Sequence, residues 1–107
     1  VLNPEGMRQQ AEGCIVMGIG YALSEQVRFR GGKVLTRDFG DYEIPRFSWL
    51  PAMEIVFVDN PQTPALGGGE PPIIAMGAAL ANAVFDATGK RMVELPMTAE
   101  KVRAALG

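Results

Sequence analysis

The sequence contains no histidine and a single cysteine, Cys14, among its 107 residues. A lone cysteine excludes an internal disulfide framework, and without histidine the chain cannot build a His/Cys metal cage. A histidine that activates a serine or cysteine nucleophile is excluded for the same reason. Any chemistry at this chain must come from carboxylates, amides, backbone groups or a bound cofactor.

The sequence also lacks a basic run and a stretch long enough to span a membrane. Ten Lys and Arg stand against 12 Asp and Glu, and no basic run indicates a nucleic-acid surface. No apolar stretch approaches the roughly 18 residues that a membrane span needs. What remains, 48% hydrophobic and 21% charged residues, is the composition of a globular chain that can bury a core. The length suffices for one small domain.

The most distinctive stretch is Gly67-Gly68-Gly69-Glu70-Pro71-Pro72. Glycines let another group approach the backbone closely, and either proline predicts the start of a helix. Glu70 then has two interpretations. It caps that helix, where an acid gains about 0.3–1 kcal/mol from the helix dipole, or it is a general base held beside the glycines. Spacing alone favours the cap.

The residues Asn3-Pro4-Glu5 predict the start of a first helix that runs to about Ser24, because they provide an N-cap, a proline at the first position and an acid in the first turn. Gly13, Gly18 and Gly20 are unusual inside a helix, since each costs about 1 kcal/mol relative to Ala. We expect another backbone or a flat ligand to pack very closely against them.

Gln9, Gln10 and Glu12 form a polar cluster on this helix. The amide of Gln10 can both donate and accept hydrogen bonds, so it can bind a planar heterocycle edge to edge. An ordinary surface position is the simpler interpretation from the residues alone.

Two regions predict β-structure. Residues 26–37 alternate apolar and polar side chains around Gly31-Gly32, which predicts a half-buried hairpin with Val34 on the same face as Phe29. Residues 52–58 carry Met53, Ile55 and Phe57 on one face and are nearly apolar on the other, as in a strand at the centre of a sheet. A short strand is also predicted at residues 92–95.

The segment from Phe39 to Leu50 is unusually apolar for a stretch broken by glycine and proline. It either lies over the core of this chain or docks on a partner. The pattern supports both alternatives equally.

A second helix is predicted from Pro71 or Pro72 to a C-cap at Gly89, and a last short helix from a cap at Thr98. The sequence therefore predicts an α+β fold in a single small domain. Its order is helix, β-hairpin, strand, helix, strand, helix, with the helices packed on a small, mostly antiparallel sheet.

Four segments occur in one order that resembles a known family: Gln10-Ala11-Glu12-Gly13, Met17-Gly18-Ile19-Gly20, the loop of residues 67–72, and the helix of residues 78–89. They resemble the C-terminal part of the large subunit of molybdenum hydroxylases, which include xanthine dehydrogenase and aldehyde oxidoreductase. Residues 87–96 most resemble the isoquinoline 1-oxidoreductase beta subunit. The resemblance implies that residues 1–107 are a C-terminal fragment of the molybdopterin-binding domain, and the absence of an initiating Met fits that expectation.

The resemblance also implies roles for individual residues. Glu70 would be the general base, and Gln10 would contact the molybdopterin or the oxygen ligands of the metal. Gly68 and Gly69 would form the loop wall nearest the metal, which the pterin holds without protein side chains. Gly68 is a departure, because many relatives carry Val or Ile there.

The implied activity is an oxidoreductase that hydroxylates an aldehyde or an N-heterocyclic carbon with oxygen from water. Its cofactor would be molybdopterin, in the plain or the cytosine dinucleotide form, and a partner small subunit would carry iron–sulfur clusters. The rest of the large subunit would complete the site, so the isolated fragment is expected to be inactive. The resemblance is compatible with a cytoplasmic or a periplasmic protein.

Parts of the sequence also suit two other classes of function. One is a non-catalytic interaction module that docks through residues 39–50. The other is a nucleotide-binding domain that uses the glycine loop as a phosphate nest, but the loop lacks the Gly-Lys-Ser/Thr ending of such sites.

Overall fold

The computed structural model describes all 107 residues. Three helices dominate it: α1 (Pro4–Leu23), α2 (Met76–Thr88) and α3 (Ala99–Leu106). Strands β1 (Phe29–Arg30) and β2 (Lys33–Val34) form one antiparallel pair. The predicted α+β class is confirmed. No helix is both long and apolar enough to cross a membrane.

The ends of α1 follow local signals in the sequence. The Oδ1 atom of Asn3 accepts a hydrogen bond of 3.0 Å from the backbone N–H of Gly6, and Pro4 occupies the first helical position. The helix ends at Leu23, with Ser24 as its C-cap. The predicted first helix is confirmed, and its observed end at Leu23 lies one residue before the predicted end at Ser24.

The core lies where α1 meets α2 and the segment before α3. A Cβ atom on Gly18 would lie 2.5 Å from the Cβ of Met76, so the two helices approach closely at this glycine. The close packing expected at Gly18 is therefore present, but its neighbour is the side chain of Met76 and not a backbone or a flat ligand. Gly13, by contrast, faces open space. The buried residues are Ala11, Cys14, Gly18, Ile19, Gly20, Ala22, Pro96 and Met97.

The hairpin has the predicted register, with Phe29 opposite Val34. Its predicted half-burial is wrong, because Phe29 is 74% exposed and Val34 62% exposed. All four strand residues are exposed, so the helices do not pack on this sheet. The helices pack on each other instead.

The strands predicted at residues 52–58 and 92–95 are not formed. The only sheet is β1–β2. A strand requires a neighbouring strand to bond its backbone groups, and this chain offers none to either segment. Those two predictions are wrong for the isolated chain.

The second helix begins at Met76, not at Pro71 or Pro72. A residue that precedes a proline is biased away from the helical conformation. Glu70 precedes Pro71, and Pro71 precedes Pro72. The backbone instead makes turns, in which Ile73 N–H donates to the carbonyl of Glu70 at 3.0 Å.

The cap signals of the last two helices are confirmed. Gly89 ends α2 in the left-handed conformation with φ of 71°. Thr98 caps α3, since its hydroxyl accepts a hydrogen bond of 3.3 Å from the N–H of Lys101.

The chain exposes more surface than its mass predicts. Its accessible area is 8179 Å², against about 5,800 Å² for a folded monomer of this mass. Its radius of gyration is 16.9 Å, against about 13 Å for a compact domain of this length. Only 8 of 107 residues are buried. Much apolar surface is therefore left uncovered by the chain itself.

Candidate functional site

A cavity of about 940 Å³ lies between the N-terminal half of α1 and residues 56–71. Asn3, Met7 and Gln10 line it from the helix, and the glycines of residues 67–69 line it from the loop. Binding sites for small molecules are concave and occupy about 300–1,000 Å³. The cavity therefore has room for a ligand beside the glycine loop.

Gln10 and Cys14 fix the glycine loop to α1 by a shared acceptor. The Nε2 atom of Gln10 donates to the carbonyl of Gly69 at 2.6 Å, and the Sγ of Cys14 donates to the same carbonyl at 3.0 Å. The two side chains lie four residues apart, which places them on one face of the helix. This pair of donors holds the peptide group directly before Glu70.

Gly68 packs against Met7 of α1. A Cβ atom at residue 68 would lie 2.6 Å from the Sδ of Met7, whereas Gly67 and Gly69 have no atom within 4 Å of such a position. The thioether of Met7 thus occupies the space that a side chain at residue 68 would take.

The side chain of Glu70 does not stabilise the fold of this chain. Its side chain is exposed and forms neither an ion pair nor a hydrogen bond. The N-cap of α2 is Ala75, five residues further on, and no side chain caps that helix. The helix-cap interpretation is therefore wrong. Glu70 is also absent from the cavity lining, although both of its chain neighbours, Gly69 and Pro71, belong to it.

The loop offers unused backbone donors. The N–H groups of residues 67–70 donate no hydrogen bond within the chain. These N–H groups can donate to a polar ligand, but no glycine of the loop has a positive φ, so the loop does not form an αR–αL anion nest. No group of three or more Cys, Asp or Glu side chains is close enough to hold a metal ion. The loop therefore offers backbone N–H groups, and not a cluster of side chains, to a ligand.

The structure thus brings Gln10 together with Gly69, and places Gly68 and Glu70 on either side of that contact. Sequence reasoning missed Cys14 as part of this arrangement. The available signal was its spacing of four residues from Gln10, which predicts that both side chains reach one neighbour.

A second exposed region is the aromatic segment of residues 39–50. Phe39 is 73% exposed and Phe47 93% exposed, whereas Tyr42 and Trp49 are half-buried. Pro45 packs on the buried Gly20 of α1, so the segment covers the end of that helix and still exposes part of its apolar surface. Its start is tied to the end of α1, because the hydroxyl of Tyr42 donates to the carboxylate of Glu25 at 2.7 Å. That hydrogen bond raises the pKa of Tyr42, with desolvation and the negative charge of Glu25 as further causes.

Residues 1–51 match the family described as "Molybdopterin cofactor-binding domain". The matched part contains α1 with Gln10 and Cys14, the hairpin and the aromatic segment, and it ends before the glycine loop.

Individual relatives match nearly the whole chain. It is 44% identical over 107 residues to a nicotinate dehydrogenase subunit of Pseudomonas putida, covering 100% of this chain and 9% of the relative. It is 36% identical over 109 residues to the aldehyde oxidoreductase molybdenum-binding subunit PaoC of Escherichia coli K12, covering 95% of this chain and 15% of the relative. The chain therefore spans less than a sixth of either curated relative.

A solved structure has the same fold. The crystal structure of quinoline 2-oxidoreductase from Pseudomonas putida 86 superposes with a TM-score of 0.83 at 28% sequence identity. The match covers 97% of this chain and 14% of the other.

Proposed function

We infer the function of this chain from its place among the molybdenum hydroxylases, the family to which it belongs as a segment of the large subunit. We propose that it supplies one wall of a molybdopterin site, as a C-terminal fragment of the molybdopterin-binding domain. The observation that carries the proposal is the shared hydrogen bonding of Gln10 and Cys14 to the carbonyl of Gly69 beside a cavity. It fixes the loop that delivers Glu70.

The residues present fit part of a pterin site. Gln10 retains its amide oxygen as an acceptor at the cavity, because only its nitrogen is used by Gly69. The free N–H groups of residues 67–70 are donors. Gln10, Gly68 and Gly69 would hold the cofactor from this side. When bound, molybdopterin supplies the metal centre for two-electron oxidation.

Glu70 would act as the general base. A base must come within hydrogen-bond reach of the proton that it removes, and Glu70 directly follows the residue that α1 holds in place. Its carboxylate is free of ion pairs and is not used as a helix cap. The unsubstituted backbone at Gly67 and Gly69 leaves space for a reacting group to approach.

The proposed substrate class draws on the relatives. Nicotinate dehydrogenase and quinoline 2-oxidoreductase are named for N-heterocycles, and PaoC is named for aldehydes. We propose that the complete protein hydroxylates an N-heterocyclic carbon or an aldehyde with oxygen from water. A small subunit that carries iron–sulfur clusters would accept the electrons, and the rest of the large subunit would complete the site.

The activity is tested on the complete protein with its partner subunit. Purified enzyme should contain molybdenum and pterin, and should hydroxylate an N-heterocycle such as nicotinate or quinoline, or an aldehyde. In water enriched with ¹⁸O, the hydroxyl oxygen of the product should carry the label. Product oxygen derived from O₂, or a protein that contains no pterin, would contradict the proposal.

A further inference from the structure

Residues 52–58 have no hydrogen-bonded partner. None of their backbone N–H or carbonyl groups pairs with another part of the chain, and none of their side chains forms a hydrogen bond or ion pair. The only sheet, β1–β2, lies elsewhere in the chain and is confined to two residues per strand. Seven consecutive residues are thus left with free main-chain donors and acceptors.

The exposure of these residues nevertheless alternates as in a strand. Met53, Ile55 and Phe57 are half-buried, and the residues between them are exposed. Side chains alternate between faces with a period of two in a β-strand. One face therefore already rests on this chain. The other bears the exposed Glu54 together with Val56 and Val58, which are 76% and 87% exposed.

We propose that residues 52–58 are a strand of a β-sheet whose neighbouring strands come from the remainder of the large subunit. Strand addition satisfies main-chain groups by hydrogen bonds and places alternate side chains in the partner's surface. Pairing would provide the free backbone groups with partners. A layer packed on that sheet would cover Val56 and Val58, which line the cavity in this chain. The inference shares one assumption with the proposed function, namely that this chain is a segment of a larger subunit.

The rest of the subunit is the partner that the observations favour. The chain spans 9% and 15% of its two curated relatives. Its accessible area exceeds that expected for a folded monomer of its mass by roughly 2,400 Å². Apart from Glu54 the strand is apolar on both faces, which is typical of the interior of a sheet covered on both sides. Edge-to-edge pairing of two copies would leave one apolar face in water.

Hydrogen–deuterium exchange on the complete enzyme tests the inference. A peptide that covers residues 52–58 should exchange on the order of 100-fold more slowly than the neighbouring turn at residues 59–64, because hydrogen-bonded strands open rarely. Equal exchange rates of the two peptides would overturn the inference. Slow exchange that appears only as the enzyme concentration is raised would overturn it in favour of pairing between copies.

Proline substitutions give an independent measurement. Ile55→Pro and Val56→Pro remove N–H groups that point to opposite edges of the strand, so at least one variant should lower the melting temperature of the complete enzyme. Val56→Thr is the matched control, because it keeps the N–H group and the β-branched shape. Melting temperatures equal to wild type for both proline variants would overturn the inference.

The inference and the proposed function can fail separately. A protected strand in a protein without pterin would leave the sheet in place and contradict the function. An active molybdenum enzyme in which residues 52–58 exchange as fast as residues 59–64 would contradict the sheet alone.

Discussion

The Nε2 atom of Gln10 donates a hydrogen bond of 2.6 Å to the carbonyl of Gly69, although the two residues lie 59 positions apart in the sequence. Cys14, one helical turn after Gln10, donates to the same carbonyl. One peptide group thus joins the first helix to the glycine loop, and the next residue is Glu70. The orientation of the proposed base therefore depends on donors supplied by α1.

Replacement of Gln10 by Leu should lower turnover of the complete enzyme about fivefold or more, because a lost hydrogen bond of about 1 kcal/mol corresponds to that factor. Steady-state kinetics and the molybdenum content per subunit measure the effect. Gln9→Leu is the matched control, since Gln9 bonds only Glu5 on the exposed side of α1. Equal losses in the two variants would contradict a specific role for Gln10.

Substitutions of Cys14 separate the effect of its hydrogen bond to Gly69 from the effect of its packing. Cys14→Ala removes the donor to Gly69 and should lower both the melting temperature and turnover. Cys14→Ser keeps a donor at this position and should retain more of the wild-type turnover than the Ala variant. If Ser and Ala reduce turnover equally, the hydrogen bond to the carbonyl does not position the loop.

Two glycines of α1 should respond in opposite directions to the same substitution. Gly18→Ala places a methyl group 2.5 Å from the Cβ of Met76, and overpacking of this kind costs about 1–3 kcal/mol. Gly13→Ala meets no atom within 4 Å and should stabilise the helix by about 0.5–1 kcal/mol. Thermal unfolding of the complete subunit measures both. A stabilising Gly18→Ala would contradict the packing of α1 on α2.

The Tyr42–Glu25 pair makes stability depend on pH in the alkaline range. The pKa of Tyr42 is raised above its ordinary value of 10.0 in the folded chain. A raised folded pKa means that the stabilisation is complete below the unfolded pKa and is lost as pH rises through the folded pKa. Tyr42→Phe should therefore melt below wild type at pH 8, and the difference should shrink above pH 10.

Tyr21→Phe is the control for that titration, because Tyr21 is 47% exposed and its hydroxyl forms no hydrogen bond. Tyr21 is the smallest of the causes that raise the pKa of Tyr42, so the melting temperature of Tyr21→Phe should depart from wild type less than that of Tyr42→Phe across the same pH range. A difference for Tyr42→Phe that is independent of pH would contradict the assigned hydrogen bond.

The helix ends and the hairpin were predicted correctly because each is determined by residues that are close in sequence. Asn3 caps α1, Phe29 pairs with Val34, Gly89 ends α2 and Thr98 caps α3, and each arrangement is decided within a few positions of the chain. The wrong predictions are the strands at residues 52–58 and 92–95, the half-burial of the hairpin and the start of the second helix. Strand formation and burial depend on neighbours that no local pattern specifies.

The site was predictable only in part. Gln10 and the glycine loop could be singled out from their residue types, but the contact between them joins segments 59 positions apart, and no local pattern predicts it. The helix-cap interpretation of Glu70 failed because residues 71–75 form turns and α2 begins only at Met76. Cys14 was not predicted as part of the site, because a lone buried cysteine is usually a packing residue.

The central claim, that Glu70 is the base, is tested most directly by Glu70→Gln in the complete enzyme. Asp86→Asn is the matched control, because Asp86 is an exposed carboxylate on α2 without an ion pair. We predict wild-type molybdenum and pterin content in both variants. Turnover should fall by a factor on the order of 10²–10⁴ in Glu70→Gln alone. Near-wild-type turnover in Glu70→Gln, with the cofactor present, would contradict the account.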